Sequence, residues 1–155
     1  MLSTSPAIAP MAVGRQPAAV PRLSGLVSQN LPVGRAYGEG MSLREQQRLA
    51  DALSAFERAV QEQPDHASAW FWLGATKDNL GDEVGAIPAY ERALQLGLSL
   101  PEKPKAWTWL ASSYSIVGRH DEALRALEHA ELVGGYEPVD EFVRISDNIR
   151  QRSRS

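Results

Sequence analysis

With cysteine absent, catalysis by this chain would draw on three histidines, 19 acidic and 16 basic side chains and its Ser, Thr and Tyr hydroxyls. His66, His120 and His129 include no pair three or four residues apart, the spacing that sets two metal ligands on one helix face. Without cysteine there is no disulfide, thiolate nucleophile or cysteine-bearing zinc site, although this leaves the compartment open. The acidic pairs Asp82-Glu83 and Asp121-Glu122 stand where helices are expected to start. There a negative charge complements the backbone dipole, while general acid or base work needs a buried carboxyl. No glycine-rich phosphate loop, nucleophile elbow or dinucleotide fingerprint occurs. The expectation is a non-enzyme with no catalytic residue, no metal and no cofactor.

Charge distribution narrows the partners. Met1 to Gly38 holds three arginines and no acid, so Glu39 to Ser155 carries 13 basic and all 19 acidic side chains of a chain whose net charge is −3. An acidic body repels phosphate backbones, which disfavours nucleic acid. No apolar run approaches the roughly 20 residues of a membrane span. A length of 155 residues suits one domain.

Large and small residues recur in a fixed order. Trp70, Leu73, Gly74, Gly81, Ala86, Tyr90 and Ala93 are followed by Trp107, Leu110, Ala111, Tyr114, Gly118, Ala123, Leu127 and Ala130. The second half of the same order stands upstream as Ala52, Phe56, Ala59 and Pro64. Phe56 to Tyr90 is 34 residues, and Trp70 to Trp107 and Tyr90 to Leu127 are both 37, which assigns three extra residues to the connection around Gly97, Ser99, Pro101 and Pro104. This grammar, with W-x-x-L-G on one helix and A-x-x-x-Y on the next, resembles the tetratricopeptide repeat family over Leu43 to Gly135. Lys77 stands where the family favours Tyr. The resemblance implies an all-α fold, an α-α superhelix of about two and a half helix pairs closed by a C-terminal capping helix. In that frame the three histidines fall in a connection, at a helix start and on an outward position, as solvated side chains.

Taken in order, residues 1–40 are half Ala, Pro, Gly and Ser with five of the ten prolines, and are expected to be a disordered, low-complexity segment. Arg15, Arg22 and Arg35 without acids also fit a targeting segment, and a translation start at Met41 is a third reading. The helical domain is assigned to residues 41–152 and a basic tail to 153–155. Ser42-Leu43-Arg44-Glu45 has the form of a capping box and predicts one long first helix to about Gln63. Helices are expected over Ala67 to Leu80, from Asp82 or Glu83 with Pro88 bending or delaying the start, over Pro104 to Val117 and His120 to Val133, and over Pro138 to Arg152 as the cap.

Two tryptophans per pair carry the functional expectation. Trp70 and Trp107 take the family's core position, while Trp72 and Trp109, about 200° further round the helix, face the other side. The resemblance assigns that side to an inner groove lined by Phe71, Trp72, Ala75, Asn79, Lys105, Thr108, Trp109, Ser112 and Ile116, with the two tryptophans as stacked neighbours. Relatives that grip chaperone C-termini use Lys, Asn and Arg side chains there. Lys105 matches the Lys, but Trp109 and Trp72 replace an Arg and an Asn, which points instead to an extended apolar or proline-containing peptide, with or without one acidic group. The expected function is a protein-binding adaptor, monomeric without its partner and cytoplasmic, with organelle targeting through residues 1–40 as the alternative location. Self-association through the same aromatic face is the alternative function. Pro21 to Val33 is either free or a tethered ligand of the Phe71, Trp72 and Trp109 face.

Overall fold

Short breaks that leave few backbone groups unsatisfied divide the chain into seven helices among the residues 34–155 that the computed structural model describes. They are α1 (Arg35–Glu45), α2 (Leu49–Glu62), α3 (Ala67–Asn79), α4 (Glu83–Leu96), α5 (Glu102–Ile116), α6 (His120–Val133) and α7 (Val139–Arg154). No strand occurs among the described residues. Successive helices pair as α1 with α2, α3 with α4 and α5 with α6, and α7 packs on α5 and α6.

The turn inside each pair has one hydrogen-bond design. After α3, Gly81 at φ 84° lets its N–H reach the Asp78 carbonyl and that of Asp82 reach Lys77, both at 2.9 Å. Gly118 at φ 86° repeats this with Ser115, and Arg119 with Tyr114. After α1 the same pair of bonds joins Gln47 to Arg44 and Arg48 to Leu43, but the left-handed residue is Gln47, at φ 61°. The long first helix expected from Leu43 to Gln63 is therefore two helices, and the first pair is complete, giving three pairs and a cap. The expected boundary at residue 41 falls inside α1, and α7 takes in most of the expected tail. Residues 1–33, with the targeting and tethered-ligand expectations, lie outside the described residues. A left-handed L-residue costs about 1–2 kcal/mol that glycine avoids. Gln47→Gly should accordingly stabilise the domain by roughly 1 kcal/mol, read as a higher urea midpoint with an unchanged slope, and a lower midpoint would contradict the strain assigned to this turn.

Within each pair a small residue on the first helix meets a large one on the second. A methyl group placed on Gly40 would stand 2.7 Å from the Phe56 ring, and one on Gly74 would stand 2.9 Å from Tyr90. Ala111 and the smaller Leu127 occupy the same places in the third pair, both buried. Two clusters result, one around Phe56 and Leu73, the other around Phe71, Tyr90, Leu110, Leu127 and Ile149, with Trp70 and Trp72 bordering both. Ile149 anchors the cap in the second cluster, and an Arg150–Glu131 ion pair ties it to α6.

Two proline positions needed the structure. Asp82 caps α4 by accepting the Gly85 N–H at 2.9 Å, so the helix starts at Glu83 without delay. Pro88 leaves the Val84 carbonyl without its usual donor, and water can reach it because Val84 is 71% exposed. On α5, Pro104 is the third helical residue rather than the first. Only one extra residue of the longer repeat lengthens the connection, and two extend the start of α5.

Candidate functional site

Helices α1, α3 and α5 form one layer whose side chains bridge between repeats. Near the starts of α3 and α5, the Ser68 hydroxyl donates to Glu102 Oε1 at 2.9 Å. Near the ends of α1 and α3, Arg44 donates from Nη1 to Thr76 Oγ1 and from Nη2 to Asn79 Oδ1, both at 3.0 Å. Between these edges runs an aromatic row. Phe71 stacks on Trp109 at 5.4 Å and meets the Trp72 ring edge-on at 4.9 Å. Trp109 donates its Nε1–H to the Tyr136 hydroxyl at 2.9 Å, and Tyr136 packs on Phe142 at 5.7 Å.

Two cations lie over this row. The Arg44 guanidinium sits 5.0 Å above Trp72, and the Lys105 ammonium is 6.0 Å from Trp109 and 5.8 Å from Tyr136, within the range of cation–π attraction. Burial lowers the Arg44 pKa from its ordinary value, though arginine stays charged. Burial likewise pushes Tyr136 up to about 12, against the Trp109 hydrogen bond.

The structure separates the nine expected groove residues. Phe71, Ala75 and Thr108 are buried, and the Thr108 hydroxyl is committed to the Pro104 carbonyl at 2.7 Å. They underlie the face and are not its open wall. Trp72, Lys105, Trp109 and Ser112 are half-buried, and Asn79 and Ile116 are exposed. Trp72 and Trp109 are not stacked on each other, since Phe71 lies between them. Trp70 and Trp107 are themselves only half-buried. Trp70 donates its Nε1–H to the Pro64 carbonyl at 2.8 Å.

Residue type alone did not mark Arg44, Tyr37, Glu102 or Tyr136. Tyr37 packs on His66 at 4.7 Å, and burial raises its pKa, with Glu102 adding to the shift. Burial also raises the Glu102 pKa, opposed by the Ser68 bond and His66. The signal available was the 34-residue step, which relates Gly40 to Gly74 and so puts Arg44 on the last turn of a first-layer helix.

Of the histidines, His129 is exposed as expected, while His66 and His120 are half-buried. His66 caps α3 by accepting the Ala69 N–H at 3.0 Å, the His120 Nδ1 is buried, and His129 stacks on Trp107 at 4.3 Å. Among the described residues no three His, Asp or Glu side chains converge as a metal site requires. A cleft of about 440 Å³ lies in the other layer, between α4 and α6, with Trp107 and Leu110 in its lining. Its carboxylates are already engaged, Glu91 by the Tyr114 hydroxyl and Glu122 by Arg119, so the aromatic row is the better candidate.

One buried carboxyl links the row to pH. Tyr90 donates to Asp78 Oδ2 at 3.2 Å, and burial raises the Asp78 pKa from 3.8 to about 6, the Tyr90 bond opposing it. An acid with a raised folded pKa stabilises the fold when protonated, so this contribution is present below about pH 4 and is lost as pH rises through about 6. Asp78→Asn should stabilise the domain by roughly 1–2 kcal/mol at pH 7, allowing for solvent screening, and by nearly nothing at pH 4. Urea melts at the two pH values would show the difference, and equal gains at both would disprove the role of ionisation.

Three comparisons bear on this arrangement. The chain is 43% identical over 60 residues to human protein O-mannosyl-transferase TMTC1 and 42% identical over 62 residues to the peroxisomal targeting signal receptor of Saccharomyces cerevisiae. Each match takes in 39% of this chain but only 7% and 10% of those proteins. The fold is also similar to that of the Yersinia enterocolitica type III secretion chaperone SycD in complex with a peptide of the translocator YopD, with TM-score 0.61, 18% identity, and coverage of 77% of this chain and 88% of that one. A tetratricopeptide repeat model matches residues 37–97 and 79–135. That span takes in most of α1, whose first half the sequence pattern did not show, and on it the chain belongs to the tetratricopeptide repeat family.

Proposed function

We propose that this chain is a non-enzymatic adaptor that holds an extended segment of a partner protein against the first-helix layer. The observation that carries this reading is the half-exposed aromatic row of Trp72 and Trp109, fixed from beneath by Phe71 and flanked by Arg44 and Lys105. Trp109 spends its only donor on Tyr136, which leaves ring faces for apolar and proline side chains. Lys105, Asn79, Ser112 and Ile116 supply the rim. SycD, a chain of similar fold in complex with a peptide, supports peptide recognition by a fold of this kind.

Peptides selected from a display library on the wild-type chain should lose about tenfold or more in affinity for a Trp72→Ala, Trp109→Ala double variant. Circular dichroism would establish that the variant remains folded. Unchanged affinity would place the binding surface elsewhere. If the free chain sediments as a dimer that the double substitution dissociates, the face serves self-association instead.

A further inference from the structure

The groove reading leaves open what kind of peptide fits, and the two cations address that question. Arg44 is held in place by Thr76, Asn79 and the Trp72 ring, using two of its five N–H donors in these hydrogen bonds. The described residues show no ion pair for Arg44 or for Lys105. Nor can the residues before the described ones supply one, since no Asp or Glu precedes Glu39. Two positive groups thus lie on an aromatic face of a net acidic chain, neither of them in an ion pair among the described residues.

Their separation bounds the ligand. Arg44 lies 5.0 Å from Trp72, Trp72 4.9 Å from Phe71, Phe71 5.4 Å from Trp109, and Trp109 6.0 Å from Lys105. The cations therefore stand within about 21 Å of each other, the reach of about six extended residues. Resting on the groove reading above, we infer that the partner segment is an internal acidic–aromatic stretch. One side-chain carboxylate pairs with Arg44, a second with Lys105, and an aromatic or proline residue lies between them over Trp72 and Trp109. Arg44 suits the first because its planar fork can pair a carboxylate bidentately while its hydrogen bonds to Thr76 and Asn79 hold it in place. Lys105 acts as a point charge at the other end.

The test uses capped hexapeptides, acetylated and amidated, with a central Phe-Pro and either Glu or Gln at both ends, the remaining positions being varied. Fluorescence anisotropy should give the Glu series about tenfold tighter binding to the wild type than the Gln series. Arg44→Gln and Lys105→Gln should each cut the ratio between the two series to about threefold, and the double substitution should abolish it. Equal binding of the two series to the wild type would overturn the acidic assignment and leave the aromatic groove standing. Failure of every peptide, neutral ones included, would overturn both. A preference that appears only when the C-terminal carboxylate is left free would overturn the assignment to side-chain carboxylates. Lys105→Gln guards against loss of fold in Arg44→Gln, because Lys105 makes no hydrogen bond to another helix among the described residues.

Discussion

Replacing Phe71 with alanine should lower the stability of the domain by about 3–5 kcal/mol and bring its thermal midpoint down by roughly 10 °C or more. The family resemblance assigns Phe71 to an open groove, where truncation would cost affinity and little stability. In the structure its ring is 0% exposed and lies between Trp72 and Trp109, and Tyr90 is 6.1 Å away. Removing it leaves a cavity among three aromatic rings, two of which are held by hydrogen bonds, Trp109 by Tyr136 and Tyr90 by Asp78. Ile116→Ala, at a site 46% exposed, should stay within about 0.5 kcal/mol of wild type. A Phe71→Ala melt as mild as that of Ile116→Ala would refute the placement of Phe71 beneath the face.

A chain beginning at Met41 should be less stable than one beginning at Gly34 by several kcal/mol, an amount set by what α1 covers. The shorter chain lacks Arg35 to Gly40, and with them Ala36, the edge-on contact of Tyr37 with Phe56 at 6.1 Å, and the close seat of Phe56 on Gly40. Fully burying a phenylalanine is worth about 1.5–3 kcal/mol. The remaining five residues of α1 are too few to hold a helix alone, so Leu43 and Arg44 lose their positions too. Circular dichroism and urea unfolding of the two chains would measure this, and coincident curves would show that α1 contributes nothing. For the same reason, the influence of the N-terminal segment on the aromatic row has to be tested by cutting at residue 33. A cut at residue 40 removes half of α1 and would change binding whether or not the segment is a ligand.

The repeat and most of its helices are legible in the order of residues alone. From Ala67 onward the 34- and 37-residue steps and the glycine breaks at Gly81 and Gly118 placed α3 to α6 within two or three residues, and the Phe142, Ile145 and Ile149 stripe placed α7. These features are local, or are spaced copies of a local pattern, and composition records them. The turn at Gln47 left no such mark, because its left-handed backbone is imposed by the packing of α1 on α2 and by two hydrogen bonds that any residue type can make. For the candidate site, periodicity gave the arc of α3 and α5 that carries Trp72 and Trp109 but could not give what covers that arc. That Trp109 closes over Phe71 and that Arg44 lies on Trp72 follows from the packing of the helices. Those contacts span residues about 30 to 40 apart and form only when one helix pair packs on the next, so the identity of the covering neighbour is a property of the stack rather than of either helix.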